Sequence, residues 1–252
     1  EAVGIDEILK QLDRELVGLV AACVAFGNVK TIRAKLEEIF RRVGEPPHAR
    51  AEDEKAVKHA LRGFRHRVFV GDDVARLLIG ARVVQKRHGT LGARFAALLA
   101  KGEFQEALAT LCDDIRDAGG VRSKHLLADP RAGSSVKRLL LWVKWMSRPD
   151  DGVDLGVWSK DVPTRLLVIP VDTHIHKLAR NLGLTDRNDA SWKTAREITA
   201  GLARFDPEDP TKYDFSLCHM GMLQRCPSRR DPKRCEGCPV KPVCRHWRRE
   251  LR

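Results

Sequence analysis

Residues 169–184, Ile-Pro-Val-Asp-Thr-His-Ile-His-Lys-Leu-Ala-Arg-Asn-Leu-Gly-Leu, specify a short helix together with both of its ends. Pro170 breaks whatever precedes it and Asp172 is a good N-cap. Ile175, Leu178, Ala179 and Leu182 then recur at helical spacing until Gly183 supplies the stop. Asp172 therefore sits at the mouth of a helix, where its carboxylate is suited to accept backbone N–H groups. His174 and His176 form no metal-ligand pair, because residues two apart on a helix point to different faces.

The same 3.6-residue signature runs through the rest of the chain. Gly4 to Leu12 reads as a short amphipathic helix, and Glu15 to Ala25 as a nearly all-apolar one buried on most sides. After the turn Phe26-Gly27-Asn28, Val29 to Val43 turns Ile32, Leu36, Ile39 and Phe40 inward. Past Pro46-Pro47, helices are expected over Glu52 to Arg62, Asp72 to His88, Leu91 to Ala100 and Glu103 to Asp117. Residues 126–140 have the layout of a short helix, a Pro/Gly turn and a second helix that runs from Ser135 to Ser147. Beyond a polar break at residues 148–154 and the Asp172 helix, two more are expected, Ser191 to Phe205 and Tyr213 to Leu223. No stretch alternates as a strand does and no repeat occurs, so the expected fold class is all-α.

At 252 residues and 43% apolar side chains, the chain suffices for one large domain or two modest ones with real cores. A net charge of +12 points to a polyanionic partner, because Lys and Arg gain free energy by releasing counterions condensed on nucleic acid. There is no run of about 18 apolar residues and no signal-peptide pattern, so a cytoplasmic protein that does not engage membranes is expected. Of seven cysteines, four follow the pattern Cys226-x8-Cys235-x2-Cys238-x5-Cys244, which suits a metal site in a reducing compartment better than a disulfide framework. Four thiolates in so short a span can hold a [4Fe–4S] cluster or a tetrahedral zinc ion, and spacing leaves both open. Cys23, Cys112 and Cys218 read as core. Arg229, Arg230, Lys233, Arg234, Lys241, Arg245, Arg248 and Arg249 form the densest basic patch, suited to holding phosphates in register without reading sequence.

Pro170-Val171-Asp172-Thr173-His174 before a helix ending Leu182-Gly183-Leu184 resembles the aspartate segment of the HhH-GPD superfamily of DNA repair enzymes, which includes endonuclease III and adenine glycosylase. The cysteine pattern is similar to that family's Cys-x6-Cys-x2-Cys-x5-Cys, longer by two only in its first loop. Residues 126–140 are similar to its helix-hairpin-helix. They keep Pro130 and Gly133 but lack a second glycine, and Pro130 lies seven positions before Lys137, two more than in the usual motif.

The resemblance implies a two-lobed helix-hairpin-helix glycosylase fold with a C-terminal [4Fe–4S] loop. Residues 13–150 would form a six-helix barrel with the modified hairpin, and 1–12 with 151–252 a second helical lobe carrying Asp172 and the cluster. It implies Lys137 as a Schiff-base nucleophile and Asp172 as the catalytic carboxylate. A cation in the first turn of a helix is disfavoured by the dipole, which favours the neutral amine that such a nucleophile needs. Phe26 and Asn28 would face the gap left by an extruded base, and Gly133, Ser134 and Ser135 would hold a phosphate. Arg229, Arg230 and Lys233 would contact DNA, and Cys226, Cys235, Cys238 and Cys244 would ligate iron and sulfur in preference to zinc. The implied protein is a monomeric, nucleoid-associated base-excision glycosylase with AP lyase activity. It would act on a damaged base flipped from double-stranded DNA, or on an abasic site. The long interval between Lys137 and Asp172 resembles the archaeal 8-oxoguanine glycosylases and favours an oxidised purine. Two alternatives stand beside this: a monofunctional glycosylase in which Asp172 activates water, and a non-catalytic lesion-binding protein on the same scaffold.

Overall fold

In the computed structural model, which describes residues 5–223 and 226–248, the chain is predominantly helical. The helices are α1 (Ile5–Cys23), α2 (Val29–Val43), α3 (Pro47–Arg50), α4 (Glu54–Ala60), α5 (Gly71–His88), α6 (Leu91–Leu99) and α7 (Phe104–Gly119), then α8 (Lys137–Ser147), α9 (Thr173–Leu182), α10 (Trp192–Ala203) and α11 (Asp214–Leu223). Among the described residues the named strands are two, β1 (Arg65–His66) and β2 (Phe69–Val70), paired antiparallel with Arg65 opposite Val70 and His66 opposite Phe69. The expectation of no strand is corrected here: two residues per strand are too few for alternation to register.

Two further expectations change. α1 is one helix rather than two, because Leu12, Leu16, Leu19, Val20 and Cys23 form one buried stripe through the polar step at Asp13 and Arg14. Leu126 to Asp129 is not helical; it turns on Ser123, whose carbonyl oxygen accepts the Leu126 and Leu127 N–H groups, and a single 3-10 turn follows at Pro130–Ala132. Proline at 130 disfavours helical backbone in the residue before it.

The chain forms two compact units. One comprises residues 1–132 with 141–163, the other 133–140 with 164–252. The division differs from the expected borders at 12/13 and 150/151: α1 goes with the first unit, the first turn of α8 with the second.

In the first unit α5 and α7 meet backbone to backbone. A Cβ on Gly80 would lie 2.1 Å from the Ile115 carbonyl oxygen, and one on Gly119 2.1 Å from that of Arg76. Leu77, Leu78, Phe95, Leu108 and Ile115 are buried there with Trp142 and Trp158, whose rings pack edge to face at 4.9 Å. The Glu15 carboxylate is wholly inside. Glu15 accepts from the Leu91 N–H (2.9 Å), the Gly92 N–H (3.0 Å), Gln85 Nε2 (2.8 Å) and Trp158 Nε1 (2.6 Å).

The second unit is built on α9, α10 and α11, with the loop of residues 226–248. α11 packs on the first turn of α9 at Gly221, where a Cβ would sit 3.2 Å from that of His174. Residues 133–135 run beside 190–192: Ser135 N–H donates to the Ala190 carbonyl (3.1 Å) and Trp192 N–H to that of Gly133 (3.0 Å). No helix among the described residues is long and apolar enough to cross a membrane.

Candidate active site

Asp172 caps α9 as the sequence predicts: its Oδ1 accepts the Ile175 N–H at 2.8 Å, and Gly183 closes the helix at φ 81°. Its other oxygen, Oδ2, lies 3.2 Å from Nζ of Lys137. The two residues singled out for chemistry therefore meet, and both belong to the second unit. Lys137 keeps 40% of its side-chain surface exposed and Asp172 18%, so the amine is reachable from solvent while the carboxylate is largely enclosed. Burial pushes the Asp172 carboxyl up, yet the Ile175 N–H, the Lys137 ammonium and His174 outweigh it and hold the group below its ordinary value. At neutral pH it is a carboxylate.

The backbone before Lys137 is strained. α8 begins at Lys137, not at Ser135, because Val136 has φ +39°, a conformation uncommon for any side chain and costly for a β-branched one. Such a conformation costs roughly 1–3 kcal/mol and persists where its surroundings over-determine it. The surroundings here are explicit. Ser134 Oγ accepts the Val136 N–H at 3.3 Å, Ser135 N–H is held by Ala190, and Ser135 Oγ donates to the Val171 carbonyl at 3.4 Å. The last contact ties the residue two before Lys137 to the residue one before Asp172.

Those same bonds change the expected role of Gly133, Ser134 and Ser135. Gly133, at φ +86°, and Ser134 are exposed, whereas Ser135 is buried and its N–H is already spent on Ala190. A phosphate at this turn would be met by Gly133 and Ser134. Phe26 and Asn28 belong to the first unit. Phe26 is part-exposed with its ring 5.5 Å from that of Phe69, and Asn28 caps α2 by accepting the Thr31 N–H at 2.8 Å.

The four cysteines of the C-terminal pattern, Cys226, Cys235, Cys238 and Cys244, all line one cavity, together with Leu178 and Asn181 of α9. Asn181 donates from Nδ2 to the Cys226 sulfur at 3.1 Å and to the Pro227 carbonyl at 3.2 Å. Burial pushes the Cys226 thiol up, Asn181 opposes it, and the neighbouring Cys244, Cys238 and Cys235 add to the rise. Two further wall residues, His246 and Trp247, each bury a ring nitrogen that has no hydrogen-bond partner among the described residues. The thiols line this cavity without converging: among the described residues no three His, Cys, Asp or Glu side chains are arranged to hold a metal ion. In number, softness and orphaned polar atoms the walls fit a thiolate-ligated cluster or ion.

Around the cavity most basic residues are exposed, and Arg234 and Lys241 also line its wall. Arg229, Arg230, Lys233, Arg234 and Arg248 are exposed, and Arg230 and Lys241 stack on the Trp247 ring at 4.1 and 4.4 Å. Arg249, part of the same expected patch, lies outside the described residues. His176 bonds the Arg187 carbonyl at 3.0 Å.

Sequence reasoning missed two functional neighbours. Asn181 is a buried polar residue among the apolar positions of α9, which was the available signal. Cys218, assigned to the core, is half-buried with its sulfur 3.7 Å from Asp172 Oδ2, a proximity no local pattern encodes.

Residues 5–223 match the model of a family described as "Protein of unknown function (DUF2400)". No curated protein and no solved structure matches the chain.

Proposed function

The chain belongs to the DUF2400 family, and from its own residues we propose that it is a base-excision DNA glycosylase of the HhH-GPD kind with AP lyase activity. The observation that carries this reading is the 3.2 Å contact between Lys137 Nζ and Oδ2 of a helix-capping carboxylate. Further support comes from the cysteine spacing, the exposed basic residues around it, and the net charge of +12.

In this reading Arg229, Arg230 and Lys233 hold phosphates of the duplex while a damaged nucleotide, by preference an oxidised purine such as 8-oxoguanine, is flipped out. As the bond from C1′ to the base lengthens, its electron pair leaves with the base, and the positive charge left on the sugar faces the Asp172 carboxylate. Lys137 first gives one ammonium proton, by way of Asp172, to the departing base; the neutral Nζ then forms a bond to C1′ and passes a second proton to Asp172. The nitrogen lone pair then breaks the bond from C1′ to the ring oxygen, which leaves with the bonding pair and takes the proton held by Asp172, and the protonated imine to Lys137 acidifies the adjacent sugar C–H. Loss of that proton expels the 3′ phosphate oxygen with its bonding pair and nicks the strand.

Cys226, Cys235, Cys238 and Cys244 would hold a [4Fe–4S] cluster, or zinc, which on binding would anchor the basic loop and take no part in the bond-making steps.

Borohydride trapping on a panel of duplexes, each bearing one lesion, tests the reading. A covalent protein–DNA adduct that disappears in Lys137→Gln is the expected result; an adduct that survives in that variant removes Lys137 as nucleophile. Base release without an adduct favours water activated by Asp172. No release from any lesion, with binding indifferent to Asp172→Asn, identifies a lesion-binding protein instead.

A further inference from the structure

The carboxylate of Asp172 has its donors divided between its two oxygens. Oδ1 takes the Ile175 N–H at 2.8 Å, as an N-cap must, while Oδ2 lies 3.2 Å from Lys137 Nζ and 3.7 Å from Cys218 Sγ. Cys218 reaches this oxygen because α11 crosses the first turn of α9 at close range. Gly221, one turn further along α11, leaves only 3.2 Å between a would-be Cβ and that of His174.

From this shared oxygen we propose that Cys218 is a positioning residue for the Lys137–Asp172 pair. Its S–H donates to Oδ2 and keeps the carboxylate plane in place when Lys137 leaves that oxygen to bond the sugar. The proposal rests on the glycosylase reading above. The terminal torsion of an aspartate is broad, so one hydrogen bond to Oδ1 does not by itself hold the plane. Once Nζ departs, Cys218 is the remaining side-chain donor to Oδ2 among the described residues. A thiol is a weak donor, yet a carboxylate acceptor strengthens it. Burial, followed by the Asp172 and Asp214 carboxylates, pushes the Cys218 thiol up to about 11, so it stays S–H throughout the neutral range.

Two measurements decide the matter. The first is independent of enzymatic activity: the rate of alkylation of Cys218 by iodoacetamide against pH, followed on the tryptic peptide of residues 213–225, which contains no other cysteine. In Asp172→Asn the midpoint moves to lower pH, because burial persists while the neighbouring negative charge is gone. Identical profiles in the two proteins overturn the contact. The second is single-turnover base release. Cys218→Ala is expected to slow it roughly threefold to tenfold, the scale of one hydrogen bond to a charged group from a weak donor. Duplex affinity and melting temperature stay unchanged, and Cys218→Ser, which keeps a donor, restores most of the rate. Equal rates in all three proteins overturn the positioning role. A wild-type protein that releases no base from any lesion overturns the glycosylase reading and this role within it, and the alkylation midpoint tells that outcome from loss of the contact itself.

Discussion

Asn181 donates to the Cys226 sulfur at 3.1 Å from the last turn of the same helix that Asp172 caps. Its own carbonyl oxygen accepts the Arg245 N–H at 2.7 Å, so both ends of the cysteine loop are fastened to the C-terminal end of α9. α9 thus carries the carboxylate at one end and the thiol-lined cavity at the other.

Asn181→Leu is the direct probe of that attachment. It removes the donors to Cys226 and Pro227 and leaves the Pro227 carbonyl without its partner, an effect of roughly 1–3 kcal/mol. A lowered melting temperature by circular dichroism is expected and, if the thiols hold the proposed cluster or ion, a lower content of iron or zinc per chain. Wild-type values for both would detach the loop from α9.

Replacing Asp172 separates capping from chemistry. Asn caps a helix about as well as Asp, so Asp172→Asn should keep the cap and lose only the ion pair to Lys137, roughly 0.2–1 kcal/mol at neutral pH, while base release in the proposed reaction falls by roughly 10²–10⁴-fold. Asp172→Ala loses the cap as well, at about 1 kcal/mol of stability. A release rate in Asp172→Asn equal to wild type would remove the carboxylate from the reaction.

The same residue predicts a pH dependence of stability. Because its folded value is held below the ordinary 3.8, ionised Asp172 contributes stability that is fully present above that value. The contribution is lost as pH falls through the lower folded value. Denaturation of wild type and Asp172→Asn, compared at pH 3 and pH 6, should show a gap in favour of wild type that narrows at the acid end.

In the first unit Glu15 has the opposite sign. Burial, opposed by hydrogen bonds from Leu91, Gly92, Gln85 and Trp158, leaves its carboxyl above the ordinary 4.5. The folded protein then binds the proton more tightly than the unfolded chain, so this group's contribution is fully present below 4.5 and is lost as pH rises through the raised value. Glu15→Gln turns an amide NH₂ towards two of the four donors, a loss of about 2–5 kcal/mol. The excess stability of wild type over Glu15→Gln, read from denaturant midpoints, should shrink as pH rises from 4.5. An excess that grows would show the carboxylate to be favoured inside.

The basic loop makes a salt-dependent prediction. If Arg229, Arg230 and Lys233 each neutralise a phosphate, the triple change to Gln should flatten the slope of log affinity against log salt by roughly 2–3 units on double-stranded DNA. Because Arg230 also stacks on Trp247, its single replacement should lower the melting temperature where Arg229→Gln and Lys233→Gln do not. An unchanged slope would move the DNA surface elsewhere.

What could be read from residue order alone was whatever is settled within a turn or two of chain. The Pro170, Asp172 and Gly183 signals place α9 to within a residue, and the apolar period places α2 and α5 nearly as well, because caps and amphipathic stripes act over three or four positions. Local order failed where packing overrode it. Asp13 and Arg14 look like a break in α1, yet the stripe on either side is continuous in the core. The turn expected to cap a helix at Ser135 is drawn out beside residues 190–192 by backbone bonds to a segment far along the chain.

The family resemblance singled out Lys137 and Asp172, and the spacing the four cysteines, as candidates for chemistry. Only the tertiary structure decided that Nζ and Oδ2 meet, that Cys218 shares the oxygen through the close crossing at Gly221, and that Asn181 holds Cys226. These depend on which faces of α9 and α11 are pressed together, and that is fixed by the summed burial of many side chains rather than by any motif.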